Sequence, residues 1–466
     1  MTDALSLAVD RAAGAPPIGE NIIRHYPDSA RALAMMLDEI ASASRWIHLE
    51  NYIIRDDAIG HRFGDALAAR ARDGVRVRVL YDALGSLGTS HRYWRALRLA
   101  GAEVRAFHPL LTSRPLDIIS RDHRKLLAID GTRAITGGLC IGDEWAGDPT
   151  RHRQPWRDTM VMVCGPAAAA LDGAFDDMWR LAGAPLPPDE NTADPEPCGD
   201  SAVRVVQGAP GRARIYRVVQ LLAASAVERL WITDAYLIAP APLYASLLDA
   251  ARAGVDVRLL VPGTSDLRVV RDLTRVGYRE LLQTGVRVFE WLGPMLHAKT
   301  MVVDRRWARV GSSNLNVSSL LSNYELDVLA EGAEPADALA AQFRRDLAQS
   351  REVVLQPRRR LRPRLVDSPA TPGHPGGPAA VSAPPHKRSR YELGAVAVVA
   401  LRRVAGGLRR AIAGTAALVS LGVGALLLLF PHVMSITLAI GAGAIGLMLG
   451  MYALERRRTR DSPDGD

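Results

Sequence analysis

The sequence predicts an α/β fold made of two duplicated halves, followed by a C-terminal transmembrane helical hairpin. The duplication is indicated by a motif, His-x-Lys-x4-Asp, that occurs once in each half of the predicted body. The motif consists of His123, Lys125 and Asp130 in the first copy and of His297, Lys299 and Asp304 in the second. In both copies a glycine stands seven residues after the aspartate. The hairpin is indicated by two long segments without charged residues near the C-terminus.

Lysine is rare in this chain, and its placement indicates a chemical requirement. Only three lysines occur, against 55 arginines, and two of the three, Lys125 and Lys299, lie in the repeated motif. Arginine is a planar fork that stays protonated, whereas lysine is a compact point charge suited to a single phosphate oxygen. The motif therefore predicts a site for a phosphoryl group.

The α/β class follows from a second repeated pattern. Each half has an apolar strand pattern with an acid and, two residues later, a tyrosine: Glu50 and Tyr52, then Asp234 and Tyr236. A helix-like stretch follows in both halves and stops at a glycine before another strand pattern. Alternating helices and strands predict a sheet flanked by helices in each half.

Composition divides the chain into five segments. Proline and acidic residues mark the boundary between the halves, and a polar Pro/Gly/Arg stretch follows the second half. The predicted segments are a first half at 1–190, a second half at 200–355, a disordered basic linker at 356–392, a possible interfacial helix at 393–410 and a two-helix membrane hairpin at 411–460. The segment 393–410 is equally compatible with a simple linker.

The predicted hairpin has two charge-free spans of equal length, 411–430 and 435–454. Each would be about 30 Å long as a helix, which matches the hydrocarbon core of a bilayer. Arginine pairs or clusters flank both outer ends, so both ends are expected in the cytoplasm. A buried hairpin of a soluble domain is the alternative, but no amphipathic partner segments remain to cover it. We expect a protein of the cell (inner) membrane with its catalytic body on the cytoplasmic side.

Charge and cysteine content exclude several classes. Residues 1–355 carry 42 basic and 44 acidic side chains, so the body lacks the basic surface expected of a nucleic-acid-binding protein. Cys140, Cys164 and Cys198 are scattered, which argues against a disulfide framework and a structural zinc site. The N-terminal residues have no long apolar stretch after a basic start, so a secretory signal is not expected.

Two histidines, each two residues before a lysine, suit displacement at a phosphodiester without a metal. One imidazole can attack phosphorus and form a phosphohistidine, while the other protonates the departing oxygen. The two ammonium groups can neutralise the non-bridging oxygens as negative charge builds. In a strand, the period of two places His and Lys of one motif on the same face. No metal or cofactor is expected.

The chain resembles the phospholipase D superfamily, and within it the bacterial cardiolipin synthases, over residues 18–355. The segments that carry this resemblance are 48–56, 121–125, 142–145, 156–158 and 295–304. The resemblance implies two phospholipase D-type α/β sandwich halves with one active site at their seam. It also implies that His123 is the nucleophile and His297 the acid and base.

The same resemblance suggests supporting residues. Each imidazole needs one nitrogen held so that the other faces the substrate. In the superfamily a carboxylate after the opposite motif does this, and the matching positions here place Glu325 behind His123 and Asp158 behind His297.

Further supporting candidates lie near the two motifs. Asn314 could donate an amide hydrogen bond to a phosphoryl oxygen, and Ser312 lies in the Gly-Ser pair after the second motif. Cys140 stands where family members usually carry asparagine, and a thiol is a weak donor. Asp130 and Asp304 belong to the motif, but they are better explained as structural residues that tie loop amides beside the site.

The expected function is phosphatidyl transfer, in which two phosphatidylglycerol molecules give cardiolipin and glycerol. The expected partners are phospholipid substrates and an anionic membrane surface. Three alternatives remain open at this point: a phospholipase D-type hydrolase or a transphosphatidylase with another acceptor, a nuclease, and a non-catalytic membrane scaffold. The near-neutral body disfavours the nuclease, and two intact motifs disfavour the scaffold.

Overall fold

The computed structural model describes residues 3–109, 120–190 and 193–355. In the first half the elements are α1 (Ala4–Ala13), β1 (Ile18–Tyr26), α2 (Ser29–Ser42), β2 (Trp46–Asn51), α3 (Ala58–Arg72), β3 (Arg76–Asp82), α4 (His91–Leu99), β4 (Glu103–Phe107), β5 (Lys125–Ile129), β6 (Arg133–Gly137), α5 (Asp143–Ala146), β7 (Met160–Cys164) and α6 (Pro166–Leu181).

In the second half they are β8 (Ser201–Gly208), α7 (Arg214–Ser225), β9 (Arg229–Thr233), α8 (Ala241–Arg252), β10 (Asp256–Pro262), α9 (Arg268–Val276), α10 (Tyr278–Gln283), β11 (Arg287–Trp291), β12 (Thr300–Val303), β13 (Trp307–Gly311), α11 (Val317–Leu321), β14 (Glu325–Glu331), α12 (Ala333–Leu347) and β15 (Ser350–Val353). The second half thus repeats the strand order of the first, with β15 added at the end.

The strands of the described residues form one 15-stranded sheet, and its order shows the duplication. Strands β1 and β8 pair antiparallel, and on either side of them the order β7-β6-β5-β2-β3-β4 matches β14-β13-β12-β9-β10-β11. Within each half the three strands joined through helices run parallel and the others antiparallel. The predicted α/β fold with two repeated halves is confirmed.

Local sequence explains why the parallel strands follow their helices so closely. Helices α3 and α8 end two residues before Gly74 and Gly254, which have φ angles of 88° and 90°. This left-handed backbone costs glycine little, so each glycine ends its helix and turns the chain into the next strand. These are the helix stops that the sequence predicts.

Helices cover both faces of the sheet. One face is covered by α6 and α12, and Trp179 of α6 and Phe343 of α12 belong to a single hydrophobic cluster that includes strands of both halves. On the other face two separate clusters form, with α2, α3 and α4 over the first half and α7, α8 and α10 over the second. Helix α1 packs in the second-half cluster through Val9 and Ala13. The shared face fixes the two halves against each other.

The predicted linker, the segment 393–410 and the predicted hairpin lie outside the described residues. In the part of the chain that is described, no helix combines the length and the apolar character needed to cross a bilayer.

Candidate active site

The two motif histidines lie where strands of opposite halves meet. His123 stands two residues before β5, and its backbone N–H donates to the carbonyl of Tyr324, 2.9 Å away, just before β14 of the other half. The backbone N–H of His297 donates to the carbonyl of Arg157 at 2.7 Å, just before β7. Each histidine is therefore anchored through its backbone to the segment that leads into the opposite half's carboxylate.

Those carboxylates hold the imidazole rings. Nδ1 of His123 lies 3.0 Å from both oxygens of Glu325, and Nδ1 of His297 lies 2.7 Å from Oδ2 of Asp158. An ionised carboxylate only accepts hydrogen bonds, so it fixes the proton on Nδ1 and leaves Nε2 for the substrate. Both predicted contacts are present in the structure.

The two motif lysines lie behind the histidines and are buried completely. The Nζ of Lys125 donates to the carbonyl of His123, and that of Lys299 donates to the carbonyl of His297. Two aromatic rings complete the arrangement: Lys125 Nζ is 5.1 Å from the ring centroid of Tyr52, and Lys299 Nζ is 5.8 Å from that of Tyr236. The two halves thus present nearly equivalent His-Lys-Tyr groups.

A cavity of about 600 Å³ opens onto both groups. His123 and His297 line it, together with Tyr52, Tyr236, Trp145, Trp156, Cys140 and Asn314. The site therefore combines two imidazoles with largely aromatic walls, and its volume suits a phospholipid headgroup.

Burial sets the ionisation of these groups. It lowers the pKa of His123, and it lowers the pKa of His297 to about 4 with a further contribution from the charge of Lys299. Burial also lowers the pKa of Lys299 to about 8. For Asp158 and Glu325, burial opposes ionisation, but the histidines and lysines outweigh it and the pKa of each carboxyl is lowered. Near neutral pH the site holds neutral imidazoles and ionised carboxylates.

The amino-acid sequence is similar to those of known proteins. The family described as "Cardiolipin synthase, PLD-like domain" matches residues 36–146 and 219–347. Cardiolipin synthase A of Pseudomonas aeruginosa is 34% identical over 363 residues, which cover 76% of this chain and 73% of that protein. The chain belongs to the cardiolipin synthase family of the phospholipase D superfamily.

Another member of the cardiolipin synthase family agrees with this assignment, and a solved structure shares the fold. Cardiolipin synthase 2 of Bacillus anthracis is 35% identical over 343 residues, which cover 72% of this chain and 66% of that protein. The crystal structure of phosphatidylserine synthase from Haemophilus influenzae Rd KW20 has a TM-score of 0.58 at 14% identity, covers 75% of this chain and 92% of its own, and shows a shared fold. The predicted enzyme class, a phospholipase D-superfamily phosphatidyltransferase of cardiolipin synthase type, is confirmed by the family matches.

In this cardiolipin synthase-family chain, each orienting carboxylate is itself held by donors, two of which the sequence did not single out. Glu325 accepts from the hydroxyls of Ser312 and Ser319, whereas Asp158 accepts from Nε1 of Trp145 at 3.1 Å. Ser319 follows His297 by the same interval as Trp145 follows His123, so the two residues occupy equivalent positions of the repeat. That shared position was a usable signal, although a serine and a tryptophan do not look alike.

The equivalent positions Cys140 and Asn314 break the symmetry of the cavity. Asn314 is buried, and its Oδ1 accepts no hydrogen bond from the described residues. Cys140 is buried too, and burial raises the pKa of its thiol, which keeps it protonated. The second half therefore offers an amide group to the cavity where the first half offers a weakly polar thiol.

The motif aspartates lie at the far ends of strands β5 and β12 and do not line the cavity. Asp130 accepts from the backbone N–H groups of Ser44, Arg45 and Trp46, and Asp304 accepts from three successive N–H groups at residues 227–229. At about 3.3 Å per residue, the strand β5 separates Asp130 from Lys125 by roughly 16 Å. The structure supports their role in tying loop amides, but at the opposite end of the strands and not beside the site.

Proposed function

We propose that this chain makes cardiolipin from two phosphatidylglycerol molecules in the cavity between His123 and His297. The observation that carries the proposal is the pair of imidazoles, one from each half, that are held through Nδ1 by Glu325 and Asp158 and share one cavity. A reaction with one covalent intermediate needs two such groups, one to attack and one to move a proton. The names of the similar proteins support the same activity.

In the first step, Nε2 of His123 attacks the phosphorus of phosphatidylglycerol. The new N–P bond forms as the P–O bond to the headgroup glycerol breaks, and His297 gives its Nε2 proton to the departing oxygen. Glycerol leaves, and a phosphatidyl group stays on His123. The assignment of attack to His123 and proton transfer to His297 follows the superfamily resemblance.

In the second step, a free hydroxyl of another phosphatidylglycerol attacks the same phosphorus. His297, now neutral, takes the proton of that hydroxyl as its oxygen bonds to phosphorus and the N–P bond breaks. His123 regains its lone pair, His297 is protonated again, and cardiolipin leaves. The sum of the two steps is two phosphatidylglycerol molecules converted into cardiolipin and glycerol, with no net proton change.

The lysines and Asn314 act on the phosphoryl oxygens in this proposal. Buried ammonium groups within a dry site interact strongly with an anion, so Lys125 and Lys299 offset the charge that builds on the non-bridging oxygens. Besides burial, the charges of the two lysines lower the pKa of His297, and the negative charge of the phosphodiester opposes this lowering. His297 has a pKa of about 4 before substrate binds, so it is then neutral near pH 7. Binding of the anionic phosphodiester raises this pKa, and His297 takes up the proton that the first step needs.

The proposed substrates are membrane lipids, so the body must meet an anionic bilayer. The near-neutral charge of residues 1–355 fits a lipid substrate better than nucleic acid. We propose that the apolar segments within 411–460 anchor the chain in the cell membrane, with the catalytic body on the cytoplasmic side. The basic residues of the predicted linker would then lie near the anionic headgroups of the same membrane.

The test is a product analysis with the purified full chain. Phosphatidylglycerol with an isotope label in its headgroup glycerol is supplied in detergent, and lipids and released glycerol are measured by mass spectrometry. The proposal predicts one labelled glycerol released for each cardiolipin formed, and no product with a His123→Ala variant. Phosphatidic acid as the product, with no cardiolipin, would instead identify a hydrolase.

A further inference from the structure

Helix α9 (Arg268–Val276) carries an apolar stripe that the rest of the described chain does not cover. The stripe consists of Val269, Leu273 and Val276, which are 73%, 46% and 79% exposed. Their spacing of i, i+4 and i+7 places all three on one side of the helix. No residue of α9 is buried. An exposed row of branched apolar side chains is costly in water and indicates a partner.

The neighbouring side of α9 is basic. Residues 266–279, which include the start of α10, contain four arginines and two aspartates, and Arg268 of α9 and Arg279 of α10 are exposed. Arg271 and Arg275 form ion pairs at 2.8 Å with Asp272 and Glu290. An apolar stripe beside arginines is the pattern of a helix that lies in a membrane interface, where the arginines reach the headgroups.

The stripe is also continuous with the mouth of the cavity. Leu267 and Val270, on the adjoining side of the same helix, line the cavity that holds both histidines. Val317, 53% exposed, lines it from α11. A lipid at the cavity would therefore meet apolar side chains from the reaction centre outward to the stripe.

We propose that α9 is a bilayer-docking surface that seats the cavity mouth on anionic phospholipid. This inference rests on the proposed function, because the lipid that binds the surface is the same class of molecule as the substrate. Val269, Leu273 and Val276 enter the boundary between headgroups and acyl chains, and Arg268 and Arg279 contact lipid phosphates. Docking then lets a phosphatidylglycerol headgroup reach His123 without leaving the membrane.

Charge argues against two other occupants. Residues 356–410 of this chain carry 12 basic and 2 acidic side chains, so they would be repelled by the arginines beside the stripe. A second copy related by a two-fold axis would bring the same arginines against each other. Three apolar side chains are also far short of the roughly 1,200 Å² that a stable protein interface buries.

The binding test uses the full chain with Cys164→Ser and Cys198→Ser, since Cys140 is buried. An environment-sensitive fluorophore is attached to Val269→Cys, and in a matched control to Val227→Cys. Val227 is equally apolar and 76% exposed, but it lies beside Asp304 at the other end of the strands. Both proteins are placed in phosphatidylglycerol or phosphatidylcholine vesicles that contain nitroxide lipids.

The proposal predicts that nitroxide quenches roughly half of the emission at position 269 in phosphatidylglycerol vesicles, less in phosphatidylcholine, and little at position 227. Equal quenching at both positions, or in both lipids, would overturn it. A change of emission at position 269 that depends on protein concentration without lipid would show a second copy on the stripe and would also overturn it.

The activity test separates docking from chemistry. A Val269→Asp and Val276→Asp double variant should lose roughly tenfold or more activity on phosphatidylglycerol vesicles. Docking would then place two charged carboxylates in the apolar part of the bilayer instead of two valines, which is unfavourable. It should keep its activity on short-chain, dispersed phosphatidylglycerol, and Val227→Asp should keep both. Equal loss on both substrates would overturn the proposal. Failure of the unmutated chain to form cardiolipin from the short-chain lipid would refute the proposed function alone, since the quenching result does not depend on turnover.

Discussion

The carboxylate of Glu325 lies 3.0 Å from Nδ1 of His123, although 202 residues separate them along the chain. The contact exists because Tyr324 binds the backbone of His123, and Glu325 is the next residue and the first of β14 in the second half. Asp158 and His297 repeat the arrangement in the opposite direction. Neither half can orient its own histidine, so the site depends on both halves being packed together.

Replacing Glu325 by Gln should lower kcat by roughly 10³-fold, because the amide no longer fixes the proton on Nδ1 of His123. Asp158→Asn is the matched variant for His297. Its loss of kcat should be smaller when the leaving group is p-nitrophenol than when it is glycerol, because p-nitrophenol needs little protonation. Steady-state kinetics with phosphatidylglycerol and phosphatidyl-p-nitrophenol measure both effects. Retention of activity within a few-fold in both variants would show that the carboxylates do not orient the imidazoles.

Cys140→Asn should raise kcat by up to roughly tenfold, since an amide can give a phosphoryl oxygen a hydrogen bond that a thiol gives only weakly. The reciprocal variant, Asn314→Cys, should lower kcat by a similar factor. Both residues are buried in the same cavity at equivalent positions, which makes them a matched pair. Unchanged rates in both would remove these positions from contact with the phosphoryl group.

Beyond the decline that loss of the His297 proton causes, the pH dependence of kcat/KM should show a separate alkaline limb near the pKa of Lys299, about 8. As pH rises through this value the ammonium loses its proton and with it the charge that faces the phosphoryl oxygens, so kcat/KM falls. Because kcat/KM reports the free enzyme, a profile over roughly pH 6–10 locates this group. Lys299→Gln should be slower and lack the limb. The same inflection in Lys299→Gln would assign it to another group.

Asp130→Asn should destabilise the fold by about 1–3 kcal/mol, because one carboxylate serves three backbone N–H groups at a single turn. Hydrogen bonds from those groups lower the pKa of Asp130 even though burial opposes it. The stabilisation is therefore present above the unfolded pKa and is lost as pH falls towards the lowered folded value. Urea unfolding at neutral and acid pH measures it. A large loss of activity without loss of stability would instead give Asp130 a catalytic role.

The sequence predicted the repeat and the α/β class because these follow from residue types that recur in matching positions. The two histidine–carboxylate contacts were predicted from the resemblance to the phospholipase D superfamily. Ser319 and Trp145 escaped prediction because unlike side chains perform the same task, donation to a carboxylate. Their equivalence appears only when matching positions of the two halves are compared.

Other features depended on tertiary packing. Helix α1 begins the chain yet packs with Val218 and Leu222 of α7 in the second half, and Arg204 of β8 pairs with Asp10 at 2.6 Å. The stripe on α9 is visible in the sequence as a strongly amphipathic pattern, but the sequence does not show that the rest of the described chain leaves the stripe uncovered. Patterns along a chain show which faces are apolar, but not which of them find a partner.

The most direct test of the central claim is to locate the covalent intermediate. A His297→Ala variant of the full chain is mixed with phosphatidyl-p-nitrophenol, quenched in alkali to preserve the acid-labile N–P bond, digested and mapped by mass spectrometry. The account predicts a phosphatidyl group on His123, and none when His123 is also replaced by Ala. An adduct on another residue would contradict the account. So would the absence of an adduct while the His297→Ala variant releases p-nitrophenol as fast as the unmutated chain.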